Sequence, residues 1–72
     1  MTKQEIANLL NKEIKPLLPE GVRYEAVVDD EGWLNTYLGS DQQGNLELLA
    51  KARRITDEIE TRVFQAYREF LT

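Results

Sequence analysis

The most informative absences in this chain are those of cysteine and histidine, which do not occur among its 72 residues. Without them the sequence offers no disulfide framework, no zinc site built from thiolates or imidazoles, and no cysteine or histidine for nucleophilic catalysis. A chain of this length buries only about 60% of its unfolded surface and is marginally stable alone. Since disulfides and metals are the usual additional supports of such small domains, association with another subunit is the support that remains.

Long apolar runs are also missing. No stretch approaches the roughly 18 apolar residues of a membrane-spanning helix, and the start MTKQEIANLL is typical of a helix opening rather than of a signal-peptide core. We therefore expect a protein without a membrane segment that acts in the cytoplasm.

A strongly basic region is the third absence. The net charge is −4, and residues 21–49 carry one basic residue against six acidic ones, which gives −5 in that part alone. Residues 1–20 balance to zero, and residues 50–72 carry five basic against four acidic residues. A field of negative sign repels phosphate backbones, so nucleic-acid binding through the middle of the chain is disfavoured.

Two stretches have the apolar periodicity of helices. Thr2 and Glu5 fit a capping box, and apolar residues then recur at helical spacing, which predicts a helix over about 3–15. Pro16 is expected to bias Lys15 away from helical geometry and so to end it. A second, long helix is predicted over about 45–71, with Asn45 as N-cap, although an earlier start capped by Ser40 is an alternative.

Between the helices, the two segments 22–28 and 33–39 read as strands of a hairpin around Asp29-Asp30-Glu31-Gly32. A two-residue loop would place Asn35 among the aliphatic side chains. A three-residue loop ending in Gly32 sorts the faces better, because glycine tolerates the left-handed backbone of the bulge that closes such a turn. It pairs Val28 with Leu34. We therefore predict this register, with Trp33 directed away from the helices.

The predicted fold is α+β in the order α-β-β-α, a single domain in which both helices pack on one face of a two-stranded antiparallel hairpin. The second helix, roughly 39 Å long, outruns strands of about 23 Å, and its overhanging end is its more apolar part. We interpret this end as a homodimer interface made by Val63, Phe64, Tyr67, Phe70 and Leu71. The alternative interface is the open face of the sheet, with strand edges pairing into four strands; of the two we favour the helices.

The other face of the hairpin is the candidate partner-binding site. Trp33, Tyr37 and Val27 would supply apolar anchors there, since exposed aromatic patches tend to mark contact surfaces. The carboxylates of Glu25, Asp29, Asp30 and Glu31 would attract a basic partner surface.

Other chemistries fit the pattern less well. The acidic turn lacks the spacing of a calcium loop, so no metal or cofactor is predicted. Glu25 has no accompanying nucleophile or phosphate-binding loop and is interpreted as a partner of Arg23 or of solvent. The sequence therefore predicts a small, acidic, non-catalytic interaction or regulatory module acting as a homodimer. The alternatives are nucleic-acid binding through the basic cluster of Lys51, Arg53 and Arg54, or a purely structural assembly subunit.

Overall fold

The structure, a computed structural model, describes residues 1–41 and 46–70. It confirms the α+β architecture and the α-β-β-α order. The predicted N-cap Asn45 and the predicted interface residue Leu71 lie outside the described residues. The elements are helix α1 (Lys3–Ile14), a 3-10 turn (Lys15–Leu17), strands β1 (Val22–Val28) and β2 (Leu34–Ser40), helix α2 (Leu46–Tyr67) and a second 3-10 turn (Arg68–Phe70).

Helix α1 begins with the predicted capping box. The Thr2 hydroxyl accepts the backbone N–H of Glu5 at 3.2 Å, and the Glu5 carboxylate accepts the backbone N–H of Thr2 at 3.1 Å. The Thr2 N–H and the Thr2 hydroxyl, which both donate to the Glu5 carboxylate, lower the pKa of Glu5 because they favour its charged form. The helix therefore starts where local sequence chemistry places it.

The end of α1 differs from the prediction made from Pro16. Lys15 keeps helical backbone angles (φ −53°, ψ −43°), and its N–H still donates to the carbonyl of Asn11. The chain then tightens into a 3-10 turn with Pro16 in its first positions. A proline is tolerated there because its missing N–H would have no partner in the first turn of a helix. The expectation that Lys15 leaves helical geometry was thus wrong.

The hairpin has the predicted bulged register. Val28 lies opposite Leu34, and the pairing continues through to the far ends of both strands. Gly32 has a left-handed backbone (φ 87°), and its N–H donates to the carbonyl of Asp29 at 3.0 Å. Strand β2 begins one residue later than predicted, since Trp33 still belongs to the closing bulge.

The core lies between the helices and the β1 half of the sheet. Helix α1 packs mainly on β1, whereas β2 makes fewer contacts with either helix. As a result Tyr24 and Ala26 of β1 are buried, while Thr36 of β2 is exposed. The main cluster of buried residues consists of Ile6, Ala7, Leu10, Ile14, Tyr24, Ala26, Ile59 and Val63.

Candidate functional site

The face of the sheet opposite the helices, called the outer face below, carries Arg23, Glu25 and Val27 of β1 with Asn35 and Tyr37 of β2. Its cross-strand neighbours are those predicted: Glu25 lies opposite Tyr37, and Val27 lies opposite Asn35. The Tyr37 side chain is 61% exposed, and Val27 is half-buried. Because both helices pack on the other side, this aromatic residue lies on a surface available to a partner.

Trp33 lies at the tip of the hairpin and is 60% exposed. The Lys3 ammonium lies 5.2 Å from the centre of its ring and donates to the carbonyl of Gly32 at 3.0 Å. A cation at this distance over an indole contributes about 0.5–1 kcal/mol at an exposed site. The ring also lines a cavity of about 180 Å³ with Lys3, Leu34 and Phe64. The indole is therefore outside the core, at the border between the outer face and α1. The prediction that it is directed away from the helices was wrong, because Lys3 of α1 lies over its ring and Phe64 of α2 lines the same cavity.

The acidic turn divides into one structural carboxylate and two exposed ones. The Asp29 carboxylate accepts the backbone N–H groups of Trp33 at 2.9 Å and Glu31 at 3.0 Å, and the side-chain amide of Asn35 at 2.8 Å. These bonds, that from the Trp33 N–H first, lower the pKa of Asp29. Asp30 and Glu31 are exposed and make no side-chain ion pair with any residue in 1–41 or 46–70. Of the three carboxylates predicted to attract a partner, Asp29 is thus already used by the turn.

The charges of the outer face are paired within the chain. Glu25 binds the ammonium of Lys15 at 2.8 Å, and Arg23 binds Asp41 at 3.2 Å. Of the two partners predicted for Glu25, Arg23 was wrong, because α1 brings Lys15 within reach from outside the hairpin, whereas the Glu25 side chain remains 52% exposed to solvent. Exposed pairs of this kind contribute about 0–1 kcal/mol, and they reduce the negative field of the face.

A side chain that the sequence analysis did not single out closes one edge of the sheet. The Asn11 amide of α1 donates to the Ala26 carbonyl at 2.9 Å, while its oxygen accepts the Ala26 N–H at 2.8 Å. Both outward-directed backbone groups at the centre of β1 are therefore satisfied by one side chain. The only sequence signal was a polar residue next to the apolar stripe of a helix, which is too common to be diagnostic.

The other edge of the sheet differs at Leu34, Thr36 and Leu38. Backbone hydrogen bonds between the strands fall on odd-numbered residues, as shown by Asp29 N–H to the Trp33 carbonyl and Asp41 N–H to the Gly21 carbonyl. The N–H and C=O groups of Leu34, Thr36 and Leu38 are therefore directed away from β1. Within the described part of the chain no hydrogen-bond partner reaches them.

The predicted helix interface is partly used inside the monomer. Val63 is only 4% exposed and belongs to the core, and Phe64 and Tyr67 pack against that core. The assignment of Val63 to a dimer interface is thus not supported, since α1 covers this part of α2 within the same chain. Phe70 is 45% exposed, with its ring centre 6.4 Å from that of Tyr67.

Helix α2 also buries one hydroxyl beside β2. Thr56 is 4% exposed, and its Oγ1 has no hydrogen-bond partner among the described residues. It lines a cavity of about 120 Å³ with Thr36 and Leu38. Nearby, the Tyr24 hydroxyl donates to Glu60 at 3.1 Å; burial, with a smaller effect of Glu60, raises the pKa of Tyr24. This cavity is well below the roughly 300 Å³ of a small-molecule site.

Comparisons with known proteins give no relative from which to transfer a function. No known protein family, curated protein or solved structure matches this chain.

Two absences concern residues 1–41 and 46–70. No helix in these ranges combines the length and hydropathy needed to cross a bilayer. In the same ranges, no three carboxylates come together as metal ligands would.

Proposed function

We propose that this protein is a non-catalytic protein-interaction module that acts in the cytoplasm as a homodimer and uses its hairpin as the contact surface. The observation that carries the proposal is the exposure of Trp33 and Tyr37, at 60% and 61%, on a sheet of only two strands. A two-stranded hairpin is marginal by itself and gains stability from further packing. Large aromatic side chains left outside the core of so small a domain are therefore best explained as contact residues.

The exposed surface of Trp33 and Tyr37 is large enough to contribute to binding. A fully buried Tyr or Trp covers about 150–250 Å², so each of these residues leaves roughly 100 Å² or more to be covered. Tyrosine and tryptophan are also the residue types that dominate measured binding energies at interfaces. Trp33 and Tyr37 thus have the size and the chemistry of anchor residues.

The charge around the anchors indicates the kind of partner. Asp30 and Glu31 at the hairpin tip have no ion-pair partner in the described chain, whereas Glu25 and Asp41 are paired with Lys15 and Arg23. A partner would meet a negative tip beside a largely neutral face. We therefore infer a partner with a few basic groups near the position of the tip, rather than a broadly basic surface such as that of a nucleic-acid-binding protein.

The geometry does not favour nucleic-acid binding through α2. Arg53 lines the same cavity as Asp57 and Glu60, so two acidic groups lie near it. Phosphate binding needs a surface of unopposed cations.

The proposal is tested by site-specific photo-crosslinking in cells of the native host. A photoreactive amino acid replaces Tyr37 in one variant and Leu46, which is 76% exposed, in a control variant. We expect crosslinked products from position 37 that are absent from position 46, and we expect the Tyr37→Ala chain to compete for them poorly. Identical products from both positions, or none from position 37, would contradict the proposal.

A second variant separates binding from folding. Trp33→Ala is expected to melt close to the wild type, because its ring is mostly exposed, yet to reduce the crosslinking yield from position 37. Equal losses of thermal stability and of crosslinking would make Trp33 a structural residue. Crosslinks to other copies of this chain alone would support the alternative of a purely structural assembly subunit.

A further inference from the structure

The two edges of the sheet differ in a way that matters for association. The β1 edge is closed at its centre by Asn11, and the Val22 N–H donates to the Pro19 carbonyl at 3.2 Å. The β2 edge presents the outward backbone groups of the alternate residues Leu34, Thr36 and Leu38, and it has no charged residue and no proline between Leu34 and Ser40. Charges, prolines and bulges are the usual means by which edge strands avoid pairing. Strand β2 therefore has the properties of a strand that pairs.

We propose that β2 pairs antiparallel with β2 of a second copy of this chain, about a two-fold axis at Thr36, to give a continuous four-stranded sheet. The inference rests on the homodimer of the proposed function and specifies its interface. In this register Thr36 lies opposite the partner's Thr36, and Leu34 lies opposite the partner's Leu38. Each copy contributes one N–H and one C=O from each of three residues, so the pairing forms six hydrogen bonds and satisfies every outward backbone group of Leu34, Thr36 and Leu38.

The side chains are self-complementary in the same register. Trp33, at the border between the outer face and α1, comes opposite the partner's Gly39. A Cβ atom added at Gly39 would meet no atom within 4 Å in the isolated chain, so the space next to this position is open. An aromatic ring opposite a glycine is a known way to compensate the missing side chain in a sheet. In this placement the exposed indole would pack over the partner's Gly39.

Charge also favours a second copy as the occupant. A two-fold axis brings identical residues close together, and like charges opposite one another in a sheet are destabilising. Since β2 is uncharged, no such repulsion arises between the two paired strands themselves, and a Thr–Thr pair at the axis is a favourable cross-strand pair. Closed two-fold dimers require this kind of self-complementary surface.

The expected dimer is weak. The two indoles, each about 60% exposed, and the half-buried leucines offer on the order of 400 Å² of apolar surface. Stable interfaces bury about 1,200–2,000 Å² in total. We therefore expect monomer and dimer to be in equilibrium, with a dissociation constant in the micromolar to millimolar range, rather than an obligate dimer.

Disulfide trapping tests the position of the axis. The natural chain has no cysteine, so Thr36→Cys introduces a single thiol. Hydrogen-bonded antiparallel pairs have Cα atoms about 5.5 Å apart, within the range of about 4.4–6.8 Å that a disulfide needs. Thr61→Cys, which replaces another exposed threonine on α2, is the matched control. Mild oxidation should link Thr36→Cys into a dimer at least tenfold faster than Thr61→Cys; equal rates would overturn the proposal.

Introducing a charge at position 36 gives an independent test. Thr36→Lys and Thr36→Glu each place like charges at the axis, so sedimentation of each variant alone should show a monomer at concentrations where the wild type dimerises. An equimolar mixture should recover the association, because the opposite charges then face each other. Circular dichroism verifies that each variant is folded. Dimers of either variant alone, or a mixture that stays monomeric while the wild type dimerises, would place the contact elsewhere.

The result also separates this inference from the proposed function. Photo-crosslinks from position 37 to a different protein, together with a wild type that stays monomeric up to 1 mM, would overturn β2 pairing and leave the interaction module intact. Extended peptides captured at position 36 in place of a second copy would likewise overturn it. Rescue by the charge-exchanged pair, together with crosslinks from position 37 to other copies of this chain alone, would support β2 pairing while the function proposed for the outer face failed.

Discussion

The most discriminating prediction about this fold concerns Asn11, because its one amide joins α1 to the edge of β1. Replacing Asn11 by alanine removes the donor at 2.9 Å from the Ala26 carbonyl and the acceptor at 2.8 Å from the Ala26 N–H. Both backbone groups then depend on water, in a region where Ala26 itself is only 2% exposed. We expect Asn11→Ala to destabilise the protein.

The magnitude follows from the two bonds. A hydrogen bond contributes about 0.5–1.5 kcal/mol net, and a buried group left without a partner costs about 1–3 kcal/mol. Asn11 is half-buried, so water reaches part of the site and the lower end applies. We expect a loss of about 1–2 kcal/mol in the free energy of unfolding. For a domain of this size that corresponds to a fall in melting temperature of roughly 5–15 °C.

The same helix provides a matched control. Asn8 is exposed, and its side chain accepts a hydrogen bond only from Gln4 on the same helix. Asn8→Ala carries the same gain in helix propensity, about 0.5 kcal/mol or slightly more, without touching the sheet. The difference between the two melting temperatures, measured by circular dichroism or calorimetry, therefore isolates the bonds to Ala26. Equal melting temperatures would refute the reasoning, since they would mean that solvent replaces both bonds without cost.

Three further predictions test the hairpin and its surroundings. Gly32→Ala should lower the free energy of unfolding by about 1–2 kcal/mol, the penalty for a left-handed backbone with a side chain. Its control, Gly39→Ala, should have a higher melting temperature than Gly32→Ala at low protein concentration. Equal melting temperatures would argue against strain at the Gly32 φ of 87°. The lowered pKa of Asp29 means that its contribution to stability is present above the ordinary aspartate pKa of about 4 and is lost as the pH falls below it. Urea unfolding from pH 5 to 2 should thus show a steeper loss for the wild type than for Asp29→Asn, and parallel curves would contradict this. The raised pKa of Tyr24 means that the contribution of this residue to stability is complete below about pH 10 and is lost at higher pH. Tyr24→Phe should therefore resist alkaline unfolding better than the wild type. An unchanged alkaline transition would exclude Tyr24 as its cause.

The features predicted correctly from sequence are those closed by short-range interactions. The capping box joins Thr2 to Glu5, and the bulged turn joins Asp29 to Gly32 and Trp33. Each bond links residues three or four positions apart, so residue type and spacing are enough to specify it. Because the turn also sets the register, it determined which residues of the two strands face each other along the whole hairpin.

The features that were missed or wrong depend on how α1 rotates and where it crosses the sheet. A helical side chain turns by about 100° per residue around the axis, so small changes in that rotation decide whether Asn11 and Lys15 reach β1. The Lys15–Glu25 pair, the contact of Lys3 with Trp33 and the burial of Val63 all follow from this placement. None of them has a local signal in the chain.

The sequence by itself therefore determined the order of the elements, the start of the first helix and the register and faces of the hairpin. Only the tertiary structure decided that one edge of the sheet is closed by Asn11, while Leu34, Thr36 and Leu38 on the other edge find no partner within residues 1–41 and 46–70. The physical reason is range: hydrogen bonds within a turn are specified by adjacent residues, whereas the partners of an edge strand depend on where the rest of the chain packs.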